Sequence, residues 1–375
     1  MAQVARILIV GGGIAGQSTA IALHRQGFAP ELVEARADWS TAGAAITLHG
    51  NGVRALRELG VGAALDAAAA PVPRWTVLDA SGRSLCTTDL RELWAGVAPC
   101  LGVTRARLHR ILRDAAADIP QRPGDAVTSV TQHDDQVLVA FADGRSGTYD
   151  LVIGADGIGS TVRRLLMGEA VPCDAGVTGW RSVSDRRPPG LSDLTLVLGE
   201  GCFFGLVPVG GGGTYGFAGQ PGPPRQDPPA GRLQRLRELF AGFGGPIPHF
   251  LAGLRFDAQI HGTRIRWVRP ARRHIGRAVL VGDAAHTVPP HLGEGGAMAV
   301  EDALVLAAEL RRCDTVAEAL DAYEARRRPR VNWVAEQSLD TARVWAMPAP
   351  HRDAVLRSRG DQLLQDRYRP LRAAC

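Results

Sequence analysis

Three glycine-rich stretches carry the residue types that handle phosphate. The first reads Ala5-Arg-Ile-Leu-Ile-Val-Gly11-Gly-Gly13-Ile-Ala-Gly16. Gly11, Gly13 and Gly16 have the G-x-G-x-x-G spacing, with Ile14 and Ala15 between the last two. A pyrophosphate needs a tight turn, close backbone approach and a helix N-terminus facing its charge. Side chains would block that approach. Glu34 ends a second apolar run about 20 residues further on, where a carboxylate can take both ribose hydroxyls. A glycine-rich turn with no ligand is the plainer alternative. The ordered succession of strand, turn, helix, strand and acid argues for dinucleotide binding.

The second stretch is Gly154-Ala-Asp156-Gly157-Ile-Gly159, which follows another apolar run. It lacks the G-x-G-x-x-G spacing, so it is not a second nucleotide fold. The third is Gly282-Asp283-Ala-Ala-His286-Thr-Val-Pro289-Pro-His291-Leu-Gly293-Glu294-Gly295-Gly296-Ala297. Arg105 and Arg107 stand near the start of a predicted helix. Cations there oppose the helix dipole, so at least one is expected to face an anion; two solvated arginines are the bland alternative.

Composition narrows the classes. No lysine occurs, so all 43 basic residues are arginine. That excludes a lysine Schiff base and a P-loop lysine. A net charge of +5 with scattered arginines does not imply nucleic-acid binding. It gives a mild pull on anions. The six cysteines form no C-x-x-C pair and no metal spacing, so reduced thiols of a cytoplasmic protein and no metal site are expected. The start does not have the form of a signal peptide. No apolar run approaches the ~20 residues of a membrane span.

The elements that would position these turns follow from periodicity. Ile7–Val10 reads as a buried parallel strand and Gly43–Leu48 as a strand. Asn51–Leu59 reads as a helix, and 75–87 as a hairpin. Asp66–Ala70 carries little signal. A helix begins at Val103. Strands are expected over Ala126–Val130, Gln136–Ala142 and Thr148–Ile153. Four more, Gly176–Ser182, Leu194–Leu198, Cys202–Val209 and Thr214–Ala218, suggest an inserted antiparallel sheet. Leu233–Phe243 reads as an amphipathic helix. Helices are expected over 297–311 and 315–342, the second carrying Arg326–Arg328 and Arg330 as a solvated face or ion-pair network. The polar tail after Pro348 has no clear pattern.

The three turns, in this order, resemble the single-component FAD-dependent aromatic hydroxylases of the para-hydroxybenzoate hydroxylase type, from Ile7 to about Tyr323. The first turn with Glu34 is similar to the family's ADP fingerprint, Gly154–Gly157 to its DG motif, and Gly282–Gly295 to its GD motif. The resemblance implies an α/β fold: a Rossmann-like FAD-binding domain, with parallel sheet and three-stranded β-meander, over 1–71, 99–172 and 268–345. An inserted antiparallel β-sheet substrate domain would occupy 72–98 and 173–267. A C-terminal tail or helix would cover 346–375. The implied FAD contacts are Gly11, Gly13, Ile14, Ala15, Gly16, Glu34, Arg36, Ala44, Arg105, Asp156 and Gly157. From the third turn they include Gly282, Asp283, Pro289, Gly293, Gly295, Gly296 and Ala297.

The implied reaction is NADH- or NADPH-driven hydroxylation of a small aromatic by O2 through a flavin C4a-hydroperoxide, in a monomer or homodimer. Secondary metabolism would suit it. Epoxidation, Baeyer–Villiger oxygenation and a non-catalytic flavin protein that shields an intermediate remain open. A flavin halogenase is disfavoured, because its lysine and W-x-W-x-I-P run are absent. Candidate catalytic residues are Arg181, Tyr215 and His291. Arg181 follows Trp180 in a pair seen in some members and could hold a carboxylate or phenolate, or support the sheet. Phe204, Tyr215 and Phe217 could line the pocket or form ordinary core. His291 could polarise a phenol or be an exposed loop residue; His49 is a weaker candidate of the same kind. His286 is expected to be structural. Glu294 stands where the family often has glutamine, and Met298 where smaller or polar residues are common.

Overall fold

The computed structural model describes residues 2, 4–39, 44–168 and 172–375. Gly43 of the strand expected over Gly43–Leu48 lies outside these; the strand runs Ala45–Leu48. A six-stranded sheet is ordered His274–Ile275, Ala278–Leu280, Leu151–Gly154, Ile7–Val10, Pro30–Glu34, Gln121–Pro123. All neighbours are parallel except the first pair. Ile7–Val10 sits at its centre and is buried throughout, as a strand covered on both faces must be. The helix Ile14–Arg25 packs on the helix Gly295–Arg312. Small residues on the first helix let the two backbones come close.

A mixed seven-stranded sheet forms the second layer. Its order is Ile260–Trp267, Cys173–Ser184, Thr214–Pro221, Phe203–Pro208, Leu194–Leu198, Arg74–Asp79, Ser84–Asp89. The expectation of a purely antiparallel insert is corrected at one junction. Leu194–Leu198 pairs parallel with Arg74–Asp79, because that hairpin arrives from an earlier excursion of the chain. One face packs against the helices Arg232–Leu239 and Ile247–Gly253. The other faces the third glycine turn and the C-terminal helices.

Two small sheets complete the layers. Val127–Gln132, Val137–Phe141 and Ser146–Tyr149 form a meander. The strand expected over Thr148–Ile153 is thus two elements. Ser146–Tyr149 closes the meander, and Leu151–Gly154 enters the parallel sheet. Ala45–Leu48, Leu101–Thr104 and Ala70–Pro71 form the other. Thr104 then caps the helix Arg105–Ala115 by accepting from the Arg107 amide.

The segment after Pro348 is a helix, Ala349–Tyr368. Its buried residues Arg352, Leu356, Gly360, Leu364 and Tyr368 recur every fourth position, one face of a helix. A Cβ on Gly360 would lie 2.5 Å from Cys86 Sγ, so glycine permits this approach to the sheet. Among the described residues no helix is long and apolar enough to cross a membrane.

The arginine run of the Val316–Trp345 helix is mainly interior at Arg327. That side chain is fully buried. Its Nε donates to Asp302 Oδ1 at 2.7 Å, one amino group to Glu301 Oε2 at 2.8 Å, and the other to the Met298 carbonyl at 3.1 Å. The run is thus an ion-pair network: Arg326 pairs with Glu309, Arg328 with Glu324 and Arg330 with Glu301, Arg326 and Arg328 from exposed positions. Removing one partner of a buried ion pair costs about 3–5 kcal/mol, because it strands the other charges. Arg327→Met is expected to lower unfolding free energy by about that amount in urea titration. A loss under about 1 kcal/mol would place the pair outside the structural core.

Candidate active site

The first turn is built by two steric constraints. Gly11 has φ +109°, and a Cβ there would sit 2.5 Å from the Ala155 carbonyl oxygen. A Cβ on Gly16 would sit 1.8 Å from the Gly11 oxygen, so the helix can start only against a bare backbone. Gly13 differs: a Cβ there meets nothing within 4 Å. It borders open space at the N-cap of Ile14–Arg25, which no side chain caps. The amides of Ile14, Ala15 and Gly16 have no acceptor among the described residues. This is an open cradle with free donors and a positive helix end, the donor set a pyrophosphate requires.

Glu34 lies beside this cradle. Its Oε2 accepts from the Gly12 amide at 2.7 Å and its Oε1 from the Arg36 amide at 2.9 Å. A carboxylate has lone pairs to spare for a ribose. The Arg36 side chain turns to Asp38. His109, which the sequence reading passed over, places its Nε2 2.7 Å from the Gly12 oxygen. Its signal was an inward position beside Leu108 and Leu112 on the same helix. Arg105 is exposed at that helix's start, and its amide donates to the Ala44 carbonyl at 3.3 Å.

The second turn is organised by Asp156. Its Oδ2 accepts from the Thr161 and Val162 amides, at 2.7 and 3.1 Å, at the start of the Thr161–Met167 helix. Its Oδ1 is buried with no partner. Burial raises its pKa against these hydrogen bonds. Gly157, at φ +77°, has open space around it.

The third turn docks against the first. Gly282 has φ +58°, and a Cβ there would lie 2.7 Å from the Ala15 Cβ. Its amide donates to Asp302 Oδ2 at 2.9 Å, the oxygen that also meets His286 Nε2. His286 is thus buried in a structural contact. Asp283 is exposed, although the atoms packed round its carboxyl desolvate it in part. Loss of bulk water raises its carboxyl pKa, while His286, Arg105 and Arg181 pull it back. Arg105 and Arg181, on different elements, therefore both address the Asp283 carboxyl. Pro289 is buried and begins a tight turn that Gly293 ends at φ +69°. Gly295, Gly296 and Ala297 then open a helix with no side-chain cap. Gly296 abuts Ile46, and Ala297 abuts Gly52.

Strand alternation decides which side chains face the third turn. Arg181 pairs with Phe217, Val183 with Tyr215, and Gly205 with Phe217. Arg181, Tyr215, Phe217 and Phe203 therefore share one face. The Phe217 ring lies over Gly205 and the Phe203 ring over Gly219. Phe203 also meets Trp345 and His291, at ring separations of 5.0 and 6.4 Å. Phe204 is corrected as a pocket residue. It points to the opposite face and packs on Phe240 and Phe250. Trp180 points there too, donating to Asp227. Phe203 and Trp345 were not foreseen, although Phe203 follows from Phe204 by alternation.

His291 is buried rather than exposed. Burial lowers its pKa to about 4. Its Nδ1 has no partner. Tyr215 is buried, which raises its pKa, while a hydrogen bond to Arg181 opposes that rise. His49 lies off this face, with its Nε2 3.1 Å from the Tyr368 hydroxyl.

Strand-end turns around one crevice, with a mixed sheet offering an aromatic face beside it, define a flavoprotein oxygenase. The chain belongs to the FAD binding domain family, whose model matches residues 4–196 and 255–338. It is an FAD-dependent monooxygenase of the aromatic hydroxylase type. It is 37% identical over 330 residues to the aurachin C monooxygenase/isomerase of Stigmatella aurantiaca, covering 87% of this chain and 86% of that one. It is 34% identical over 336 residues to an FAD-dependent urate hydroxylase of Klebsiella pneumoniae, with the same coverage. The structure of Klebsiella pneumoniae HpxO complexed with FAD and uric acid superposes with a TM-score of 0.90 at 30% identity. That match covers 98% of this chain and 96% of the other. NAD(P)H is the typical co-substrate of such monooxygenases.

Gly13 separates folding from cofactor binding. Gly13→Ala meets no protein atom, so the apoprotein is expected to melt at the wild-type temperature. Its methyl group intrudes on the cradle, and FAD affinity is expected to fall at least about tenfold, or ~1.4 kcal/mol. Flavin titration against melting curves tests this; unchanged affinity would move the pyrophosphate elsewhere.

Proposed function

We propose that this enzyme hydroxylates a small planar aromatic that carries an anionic oxygen or carboxylate. One observation carries the reading: Arg181 stands on a sheet face with Tyr215, Phe217 and Phe203, beside the third glycine turn. The aromatic faces suit a flat ring, and the guanidinium suits its charge. The HpxO structure with uric acid, itself a flat acidic heterocycle, supports this substrate class.

The residues divide by task. The free amides of Ile14–Gly16, with Gly11 and Gly13, would hold the FAD pyrophosphate, and Glu34 the ribose. Arg105 would face phosphate. Asp156, Gly157, Gly282 and Asp283 would contact the central part of the cofactor. Ala44, Pro289 and Gly293 would border the isoalloxazine, towards which the amides of Gly295–Ala297 would point. Arg36 would stand near the adenosine. FAD in that crevice supplies electron transfer from NAD(P)H and activation of O2.

The chain's own part is binding, orientation and exclusion of water. Arg181 orients the Tyr215 hydroxyl and pairs with the substrate anion. Phe203, Phe217 and Trp345 keep the reacting ring dry. His291 stays neutral above about pH 4. It can offer a hydrogen bond to a substrate oxygen without carrying charge.

The segments 1–71, 99–172 and 268–345 are assigned to the FAD domain, 72–98 and 173–267 to the substrate domain, and 346–375 to a C-terminal helix over both. A cytoplasmic setting accords with free cysteines among the described residues. A monomer accords with Leu138 and Phe256 being the exposed large apolar side chains among those residues.

Arg181→Met is expected to retain FAD yet bind the anionic aromatic about 10- to 100-fold more weakly, the worth of a charge-assisted hydrogen bond. Anaerobic flavin reduction by NADPH and NADH across phenols and aromatic acids measures it. No acceleration by any of them in wild type would overturn the substrate class. The pH profile gives a second check. His291 is protonated only below about pH 4, so kcat is expected to show no break from it between pH 5 and 8. A break there that His291→Asn abolishes would show an imidazolium.

A further inference from the structure

Glu294 immediately precedes the helix whose N-terminal amides are assigned to the flavin. It is 1% exposed. Its Oε2 accepts from Asn51 Nδ2 at 2.8 Å. Its Oε1 has no partner. No arginine among the described residues bonds to it. The same Asn51 amide also leans on Glu301 Oε1 at 3.3 Å.

The buried charges nearby are already matched. Arg327 bonds both Glu301 and Asp302, and Arg330 forks onto both oxygens of Glu301. Asp302 also holds His286. Glu294 is the surplus carboxyl of this interior. An ionised carboxylate buried without a cation is strongly disfavoured, and proton uptake is the usual relief.

We propose that Glu294 is a positioning residue held as a neutral carboxylic acid, so that the flavin-facing end of the Gly295–Arg312 helix keeps its positive potential. A carboxylate there would place a full negative charge against the amides assigned to the flavin pyrimidine. A neutral acid presents what an amide side chain would, a carbonyl acceptor and a hydrogen donor. The helix end, and with it an electron-rich reduced flavin, is then favoured. The helix part of this inference rests on the FAD placement above; the protonation part does not.

The surrounding groups set when the proton leaves. Burial pushes the Glu294 carboxyl up to about 8; the Asn51 bond and Arg330 pull it down, and Glu301 pushes it up. Arg327 lies behind Glu301. From the other packed elements, Tyr368 and Cys100 face the carboxyl, and both are held protonated by burial. His49, beside them, has its pKa lowered to about 4 and stays neutral. None of these three changes charge between pH 5 and 8. At Glu294 itself the native state therefore holds a proton over most of that range that the unfolded chain has lost. Stability from this site is full below about pH 4.5 and falls as pH rises towards 8.

Three measurements on Glu294→Gln test this. The infrared difference spectrum, wild type minus variant at pH 6.5, is expected to contain the carbonyl band of a protonated carboxyl. Because this reads apoprotein and holoenzyme alike, it stands even if FAD is bound elsewhere. The variant's melting temperature is expected to match wild type near pH 5 and exceed it increasingly towards pH 8. In the holoenzyme, the flavin midpoint potentials of the two proteins are expected to agree at pH 6.5. Above pH 8 wild type should fall below the variant. Carboxylate bands at pH 6.5, or a constant melting difference across pH, would overturn the neutral acid. A shared potential profile with the protonated band intact would overturn only the coupling to the flavin.

Discussion

Asp302 is the point on which the site's geometry hangs. One of its oxygens holds the Gly282 amide and His286, and the other holds Arg327. The third glycine turn, its following helix and the long Val316–Trp345 helix are thereby tied through one carboxylate. Nearby charges keep that carboxyl ionised against full burial, so its pKa is depressed. This clamp helps hold Gly282 against Ala15, where the first and third turns meet.

The rest of the molecule reads as supports for that crevice. The parallel sheet delivers all three turns at the same ends of its strands, where such sheets leave an opening. The mixed sheet supplies a floor of alternating faces. The Ala349–Tyr368 helix closes the far side. Tyr368 donates its hydroxyl hydrogen to the Leu292 carbonyl at 2.6 Å, and Arg352 takes the Leu198 and Gly199 carbonyls. The C-terminal residues thus brace both the loop before the helix Gly295–Arg312 and the end of the strand Leu194–Leu198.

The glycine turns were legible because their demands are local: a spacing, a following helix, an acid at a strand end. Arg181 and Tyr215 were legible as strand residues, and alternation alone sends Trp180 and Phe204 away from them. Arg327 was not, since nothing in a run of arginines marks the one that turns inward to partners 25 and 26 positions earlier. The parallel junction at Leu194–Leu198 depends on where an earlier hairpin comes to rest, which no local pattern carries. The last helix hid because its buried stripe includes an arginine and a glycine, residues that hydropathy counts as polar or neutral. Glu294 stands out as a departure from the family's usual glutamine, but whether it carries a charge depends on which partners the nearby arginines take.

Phe217 over Gly205 and Phe203 over Gly219 are rings laid on bare backbone. Each fills space that belongs to no other side chain of its own strand. Shortening one ring would open space on this face without moving a strand, and lengthening its neighbour would close it again. If the proposed substrate binds on this face, the space left for it could therefore drift through single exchanges in one layer without any change in the glycine turns of the other. An enzyme built this way would be free to accept a different ring over evolutionary time while keeping its glycine turns unchanged.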